Sequence, residues 1–259
     1  MTWDALHLAL EAELGEAITL DALTATWRIA QRAAGHRHSV DDVLTAHYAL
    51  TTVAGGSRVT SVLDLGSGIG GVGLLALWGL GAGARLVCVE AQAISHRLLV
   101  ANIAGNQLGD RAVPRLADLR ELALDERFGL VTGSPPYFPL GTGILPADSQ
   151  KAHARFELRG DVADYARAAA RHLADDGVFV FCFPTAQRAR AIASVTGAGL
   201  HVATMRDVVP RVGLRPLFTL FACGRAAATC TTEPALEVRD ADGALGAEMR
   251  AVRRCFGFP

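Results

Sequence analysis

Two short stretches carry residues whose types and spacing can do chemistry. The first, V-L-D-L-G-S-G-I-G-G from Val62 to Gly71, is an apolar run containing Asp64 that breaks into glycines at Gly66, Gly68 and Gly70. Glycines let a chain turn sharply and bring backbone amides close to a bound group. A second apolar run ends at Glu90, 24 residues after Gly66. Its carboxylate would lie beside the glycine loop and could accept from two ribose hydroxyls. This spacing suits either a nicotinamide dinucleotide or S-adenosylmethionine. No G-K-S or G-K-T follows the glycines, so a Walker loop is excluded.

The second stretch is G-S-P-P-Y-F, Gly133 to Phe138, directly after a run that reads as a buried strand. A connection that only had to turn would use Gly, Asn or Asp. Two prolines instead fix the path of the chain and leave few alternative conformations, and they deliver two aromatic rings to the same strand end.

The elements that must position these stretches follow from the pattern of apolar runs. Ser61–Leu65, Arg85–Glu90, Arg111–Leu116, Phe128–Thr132 and Val178–Phe183 read as strands. Helical stretches at Gly70–Leu80, Ser95–Asn106, Asp161–Leu173 and Thr185–Thr196 alternate with them. The alternation predicts a mostly parallel sheet covered on both faces. His201–Asp207 and Leu217–Cys223 have no helix between them and predict an antiparallel hairpin at one edge. Ahead of this, Asp4–Ala34 is rich in helix formers with a break near Gly15, and Ser39 can cap a helix through Ala49 with Asp41 and Asp42 in its first turn. Gly55 and Gly56 are expected to end that preface. The expected division is a helical extension over 1–56, a main domain over 57–229, and a C-terminal extension over 230–259 packed on it.

Composition narrows the classes. The chain is 51% hydrophobic and 20% charged over 259 residues, which excludes global disorder. A formal charge of -1 gives no overall attraction to nucleic acid. Local basic stretches exist: Arg28, Arg32, His36, Arg37 and His38 with no acid among them, and Arg206, Arg211 and Arg215 with only Asp207 opposing. Lys151 is the sole lysine, so arginine abundance by itself is not read as function. Five cysteines, at 88, 182, 223, 230 and 255, show no C-x-x-C spacing and fit reduced thiols of a cytoplasmic protein. No run approaches a membrane-spanning length, and the N-terminus lacks the features of an export signal. His36, His38, Asp41 and Asp42 form a mixed cluster, but two histidines in a turn are weak support for a metal, and none is expected.

Taken in order, D-L-G-S-G-I-G (Asp64 to Gly70), P-P-Y-F (Pro135 to Phe138) and A-R-F-E (Ala154 to Glu157) resemble the motifs of the bacterial tRNA(valine) adenine-N6 methyltransferase family. The stretch from Gln31 through Asp42 to Ala46, and V-V-P-R at Val208 to Arg211, add to the resemblance, which spans about residues 28–250. It implies a Rossmann-like class I methyltransferase fold: a seven-stranded, mostly parallel sheet with an antiparallel edge hairpin and helices on both faces. It implies S-adenosylmethionine as cofactor and RNA, tRNA above all, as partner; the sequence leaves the oligomeric state, monomer or weak dimer, open.

By the same resemblance, Asp64, Gly66, Ser67, Gly68 and Gly70 would hold the methionine part of the cofactor. Glu90 would take the ribose, Ala91 would lie beside the adenosine, and Asp118 would accept from the adenine amine with Leu119 against the base. Ser134, Pro135, Pro136 and Tyr137 would form the catalytic turn, Tyr137 stacking on a planar base. Phe138, Arg37, Arg155 and Arg211 would meet the substrate, and Arg155 and Glu157 would brace each other in a long connection able to act as a lid. Ser134 departs from the family pattern, which has Asn or Asp there. A serine hydroxyl reaches less far, a change worth about 1–3 kcal/mol of transition-state stabilisation if adenine is the acceptor. The departure keeps three alternatives open: a protein-glutamine methyltransferase, a small-molecule methyltransferase, and a non-catalytic RNA-binding protein with a decayed site. A nicotinamide-dependent oxidoreductase leaves P-P-Y-F without a task, and no Tyr-x-x-x-Lys pair is present.

Overall fold

The computed structural model describes residues 2–54 and 59–259. Its centre is an eight-stranded sheet of β3 (Ser61–Leu65), β4 (Arg85–Glu90), β5 (Ala112–Leu116), β6 (Phe128–Gly133), β7 (Leu173–Pro184), β8 (His201–Val209), β9 (Phe218–Gly224) and β10 (Thr231–Glu237). Their order across the sheet is β10-β8-β9-β7-β6-β3-β4-β5. β3 pairs in parallel with β4 on one side and β6 on the other. The chain therefore leaves β3 toward β5, then returns to start β6 on the opposite side. Such a reversal opens a crevice beyond the carboxyl ends of the two central strands.

The central strands are apolar on both faces because helices cover both. Val62, Leu63 and Leu65 of β3 and Leu130 and Val131 of β6 are wholly buried. One face packs on α2 (Val40–Val53), α3 (Gly71–Leu80) and α4 (Ala93–Gly105); the other takes α6 (Val162–His172) and α7 (Arg188–Gly197). α6 starts where Asp161 accepts from the amides of Ala163 and Asp164 while Asp164 accepts from the amide of Asp161, a reciprocal cap. That start fixes which face turns inward and buries Tyr165, Ala166 and Ala169.

The antiparallel pair forms as expected, with β9 inserted between β7 and β8. β10, which the apolar pattern did not suggest, pairs in parallel with β8 and makes the sheet eight strands rather than seven. It buries Leu236 alone, so its sequence carries almost no strand periodicity.

The N-terminal segment also departs from expectation. The helix α1 covers only Trp3–Leu14, and residues 18–32 form a hairpin, β1 (Ile18–Ala22) with β2 (Arg28–Arg32), instead of continuing as helix. The cause is tertiary. Asn102 of α4 accepts from the Ala30 amide at 2.7 Å and donates to the Ala30 carbonyl at 3.2 Å. Asn106 makes the same pair of bonds to Arg28, at 2.9 and 2.8 Å. Two amides thus hold one edge of β2 extended. The expected break at Gly55 and Gly56, and with it the 56/57 boundary, lies outside the described residues. Two further helices, α5 (Ser149–Arg155) and α8 (Ala247–Cys255), had no counterpart in the sequence reading. Among the described residues, no helix is long and apolar enough to cross a membrane.

Candidate functional site

A cavity of about 440 Å³ opens in the crevice at the carboxyl ends of β3, β4 and β6. Ligand pockets for small molecules commonly run from about 300 to 1,000 Å³. Its floor is the glycine loop after β3. Gly66 and Gly68 have φ of 61° and 56°, the left-handed region that favours glycine. A Cβ at Gly66 would run into the Tyr165 hydroxyl, so glycine is required there for both conformation and space. Gly70, at φ 98°, is the N-cap of α3 and is not on the cavity wall.

Asp64 is buried under this loop. The Thr132 hydroxyl donates to its Oδ1 at 2.7 Å and the Gly73 amide to its Oδ2 at 3.2 Å. It therefore ties β3 to β6 and to the first turn of α3. Burial outweighs these bonds and pushes its carboxyl up to about 6. Glu90 ends β4 on the cavity wall. The Gly68 amide donates to its Oε2 at 2.8 Å and the Gln92 amide to its Oε1 at 2.6 Å. Burial pushes Glu90 up to about 7 against those two bonds. Each of its oxygens keeps a lone pair, and both are partnered by neutral donors alone.

Apolar groups flank this carboxylate: Val89, Ala91, Ala117 and Leu119. A desolvated carboxylate with spare acceptor capacity, a glycine loop and an apolar wall fit a nucleoside-bearing group such as S-adenosylmethionine. Asp118 is not part of the wall. Arg120 donates to both of its carboxylate oxygens, at 2.9 and 2.6 Å, and holds the side chain outside the cavity. The expected contact of Asp118 with an adenine amine would need the carboxylate to turn from Arg120 toward the wall between Ala117 and Leu119.

The turn after β6 forms the opposite end. Pro135 and Pro136 are buried, Ser134 and Tyr137 are half-buried, and Phe138 is exposed, all five lining the cavity. The Gln187 side-chain amide donates to the Tyr137 carbonyl at 2.7 Å and fixes the turn from the far side. The Tyr137 ring meets Phe183 nearly at right angles, with centroids 6.1 Å apart. Its hydroxyl lies 3.3 Å from both Asp41 Oδ2 and Cys182 Sγ. Ser134 Oγ also faces Cys182, at 3.4 Å.

The roof comes from two segments remote in sequence. One is His36–Asp42, which the Gln31 side chain holds by accepting from the His38 amide at 2.7 Å. The other is the chain around α5, where Gln150 accepts from the His36 amide at 3.1 Å and donates to Ser95 at 3.1 Å. Arg32 clamps the two together, pairing with Asp148 at 2.8 Å. Arg37 lines the cavity but is tied to Asp21 at 2.9 Å. Arg155 also lines it. Glu157 pairs with Arg190 at 2.5 Å rather than with Arg155, which corrects the expected brace. Arg211 is on the exposed 210–217 connection, away from the cavity.

Several lining residues gave no signal in sequence. Tyr165 fills the space left by Gly66 and Gly133, where a Cβ would stand 2.9 Å from its ring. Gln150, His153 and Arg159 reach the wall only because the long connection folds back. The His36–Asp42 group, considered above for a metal, is organised by internal bonds. His38 Nδ1 lies 3.0 Å from Asp42 Oδ2, and the Ser39 amide donates to the same oxygen at 3.1 Å.

No protein-family model matches the chain. Two curated relatives are tRNA1(Val) (adenine(37)-N6)-methyltransferases. The one from Phocaeicola vulgatus is 26% identical over 162 residues, covering 62% of this chain and 68% of the relative. The one from Aeromonas hydrophila is 27% identical over 182 residues, covering 70% and 75%. Among solved structures, a protein of Agrobacterium tumefaciens described as a predicted O-methyltransferase superposes with TM-score 0.64 at 18% identity, over 85% of this chain and 98% of that one. The M. jannaschii tRNA m1G37 methyltransferase superposes with TM-score 0.55 at 16% identity, over 81% of this chain and 57% of that one. The structural likenesses carry the fold, and the sequence relatives bring the chemistry to the cavity built on it: the chain is an S-adenosylmethionine-dependent methyltransferase.

Proposed function

We propose that the chain methylates a nitrogen of RNA, adenine N6 of a tRNA being the acceptor that the site and its relatives favour. The observation that carries the reading is the Pro135-Pro136-Tyr137 turn, held at the same cavity as Glu90 and the glycine loop. That turn offers carbonyl acceptors and a flat ring, which together suit a planar amine, whereas a carboxylate has no hydrogen to donate to them.

In this reading Glu90 accepts from the ribose hydroxyls with its free lone pairs, and the Gly68 amide keeps the carboxylate aimed. Leu119, Ala117 and Val89 exclude water from the base. Asp64 acts at one remove by fixing the loop. When bound, the cofactor supplies an electrophilic methyl group on a sulfonium. The protein's task is then to hold an acceptor nitrogen in line with it, a positioning effect. Tyr137 stacks on the acceptor base, an interaction worth roughly 1–3 kcal/mol, with Phe138 at the rim. A base must leave its stack to enter such a cavity.

Some of the exposed cations are well placed. Arg155 lines the mouth, and Arg211 and Arg215 are exposed on the 210–217 connection. That connection leaves the carboxyl end of β8, which runs with β7 and β6, so it shares the sheet edge with the cavity. Arginines there suit RNA phosphates. Arg206 is committed to Glu248, at 2.6 Å, and is not counted among them.

The test is transfer of labelled methyl from S-adenosylmethionine into separated tRNA, rRNA and protein fractions, beside Tyr137→Ala. Label in an RNA fraction that is lost in the variant supports the proposal. Label in protein alone would replace it with the glutamine reading.

A further inference from the structure

Ser134 stands where an asparagine or aspartate would accept from the target nitrogen, and its hydroxyl has a shorter reach. It faces Cys182 Sγ at 3.4 Å. The same sulfur lies 3.3 Å from the Tyr137 hydroxyl, which in turn lies 3.3 Å from Asp41 Oδ2. Asp41, Tyr137 and Ser134 all line the cavity, so this chain of contacts runs along its acceptor end. We propose that the Asp41 carboxylate, reaching that end from the first turn of α2, accepts the N–H of the substrate amine in place of a side chain at 134. The inference rests on the nitrogen-acceptor reading above.

The neighbouring Asp42 also lines the cavity, but no contact ties it to Tyr137 or Ser134 at the acceptor end. Asp42 Oδ2 already takes the Ser39 amide and the His38 ring, and that hydrogen bond and charge hold its carboxyl low although burial opposes this. Asp41 differs. Its Oδ1 takes the Ser39 hydroxyl, whereas its Oδ2 has only the long contact to Tyr137. Burial, and then the Asp42 charge, push the Asp41 carboxyl up. The groups facing it are Asp42 and Ser39 at the start of α2, His36 and His38 from the preceding loop, Tyr137 from the β6 turn, and Cys182 of β7 behind Tyr137. A carboxylate short of donors in a desolvated place is a strong acceptor for an N–H that becomes more acidic as the nitrogen is alkylated.

The step balances. The nitrogen pair makes the new N–C bond, and the pair of the broken C–S bond stays on sulfur as a neutral thioether. The N–H proton stays hydrogen-bonded to Asp41 through the transition state and then passes from the methylated nitrogen to water. An acceptor of this kind contributes mainly to the transition state, so its removal lowers kcat more than it raises KM.

Two measurements test this. In turnover on the RNA acceptor, Asp41→Ala is expected to lower kcat roughly 10- to 100-fold, with KM and S-adenosylhomocysteine affinity within about threefold. Asp41→Asn keeps a carbonyl acceptor and is expected to recover most of the loss. Adding Ser134→Asn to Asp41→Ala is expected to recover at least about tenfold, because an amide then occupies the position Asp41 serves. In binding with saturating S-adenosylhomocysteine, oligoribonucleotides carrying adenine or N6,N6-dimethyladenine are compared. Wild type is expected to prefer the form with N–H at least about fivefold, and Asp41→Ala to lose that preference. An Asp41→Ala variant with near-normal kcat, or one that keeps the preference, overturns the proposal. If wild type binds neither RNA, the RNA reading fails by itself. The same pair of measurements on a glutamine amide and its N,N-dimethyl form then decides Asp41, with the same loss required.

Discussion

Replacing Glu90 with glutamine separates the charge of this side chain from its shape. Burial raises the Glu90 carboxyl from 4.5 to about 7 in the ligand-free fold. Ionising it there costs about 3 kcal/mol more than in the unfolded chain. Between about 4.5 and 7 the folded chain keeps a proton that the unfolded chain has lost, so Glu90 weakens stability as pH rises through that window and no further above it. Ribose hydroxyls that donate to the carboxylate favour its ionised form. Binding of S-adenosylhomocysteine should therefore tighten as pH rises, by up to about tenfold per pH unit below 7, and should release close to one proton near pH 6. Asp64, raised to about 6, titrates in the same range. Glu90→Gln leaves Asp64 in place, so the difference between the two proteins isolates Glu90. Titration calorimetry in buffers of different ionisation enthalpy measures both affinity and proton release. The variant should bind ~10–100-fold more weakly above pH 7, with a flatter pH curve, yet be ~1–2 kcal/mol more stable without ligand at pH 8. Equal pH curves and equal proton release in the two proteins would refute the reasoning.

Other consequences are open to measurement. Gly66→Ala forces a φ of 61° on a residue with a Cβ and drives that Cβ into Tyr165. Denaturant unfolding should show a loss of about 1–3 kcal/mol, with cofactor binding weakened as well. The His38 ring is raised overall: burial lowers it, but the hydrogen bond and charge of Asp42 prevail. Its contribution to stability is full below the unfolded histidine value and is lost as pH rises through the folded one. His38→Ala should therefore cost more stability at pH 6 than at pH 9, and an equal cost at both would count against the pair. Reversing Arg211 and Arg215 to glutamate should weaken tRNA binding and flatten its salt dependence without altering cofactor affinity. An unchanged salt slope would remove these arginines from the RNA surface.

Much of the frame was legible because its signals are local. Runs such as Val62–Leu65 and Val178–Phe183 are apolar enough to be buried on both faces, and the glycines between Gly66 and Gly70 mark the loop without help from the rest of the chain. What was not legible depends on partners distant in sequence. The β1–β2 hairpin is held open by Asn102 and Asn106, more than seventy residues on. The partner of Asp118 is nearer, Arg120 two residues away, and nothing in the motif marks that pair. Ser134 faces Cys182 of β7, and the brace for Glu157 is Arg190 rather than Arg155. The roof over the cavity joins His36–Asp42 to Gln150 through single hydrogen bonds that leave no periodicity in either segment.

The most direct test of the account is nucleoside mass spectrometry of tRNA after reaction with the purified protein and S-adenosylmethionine labelled in the methyl group. Labelled N6-methyladenosine is expected, produced by wild type and absent with Tyr137→Ala. A labelled nucleoside methylated on carbon or on a ribose oxygen, or label confined to protein, would contradict it.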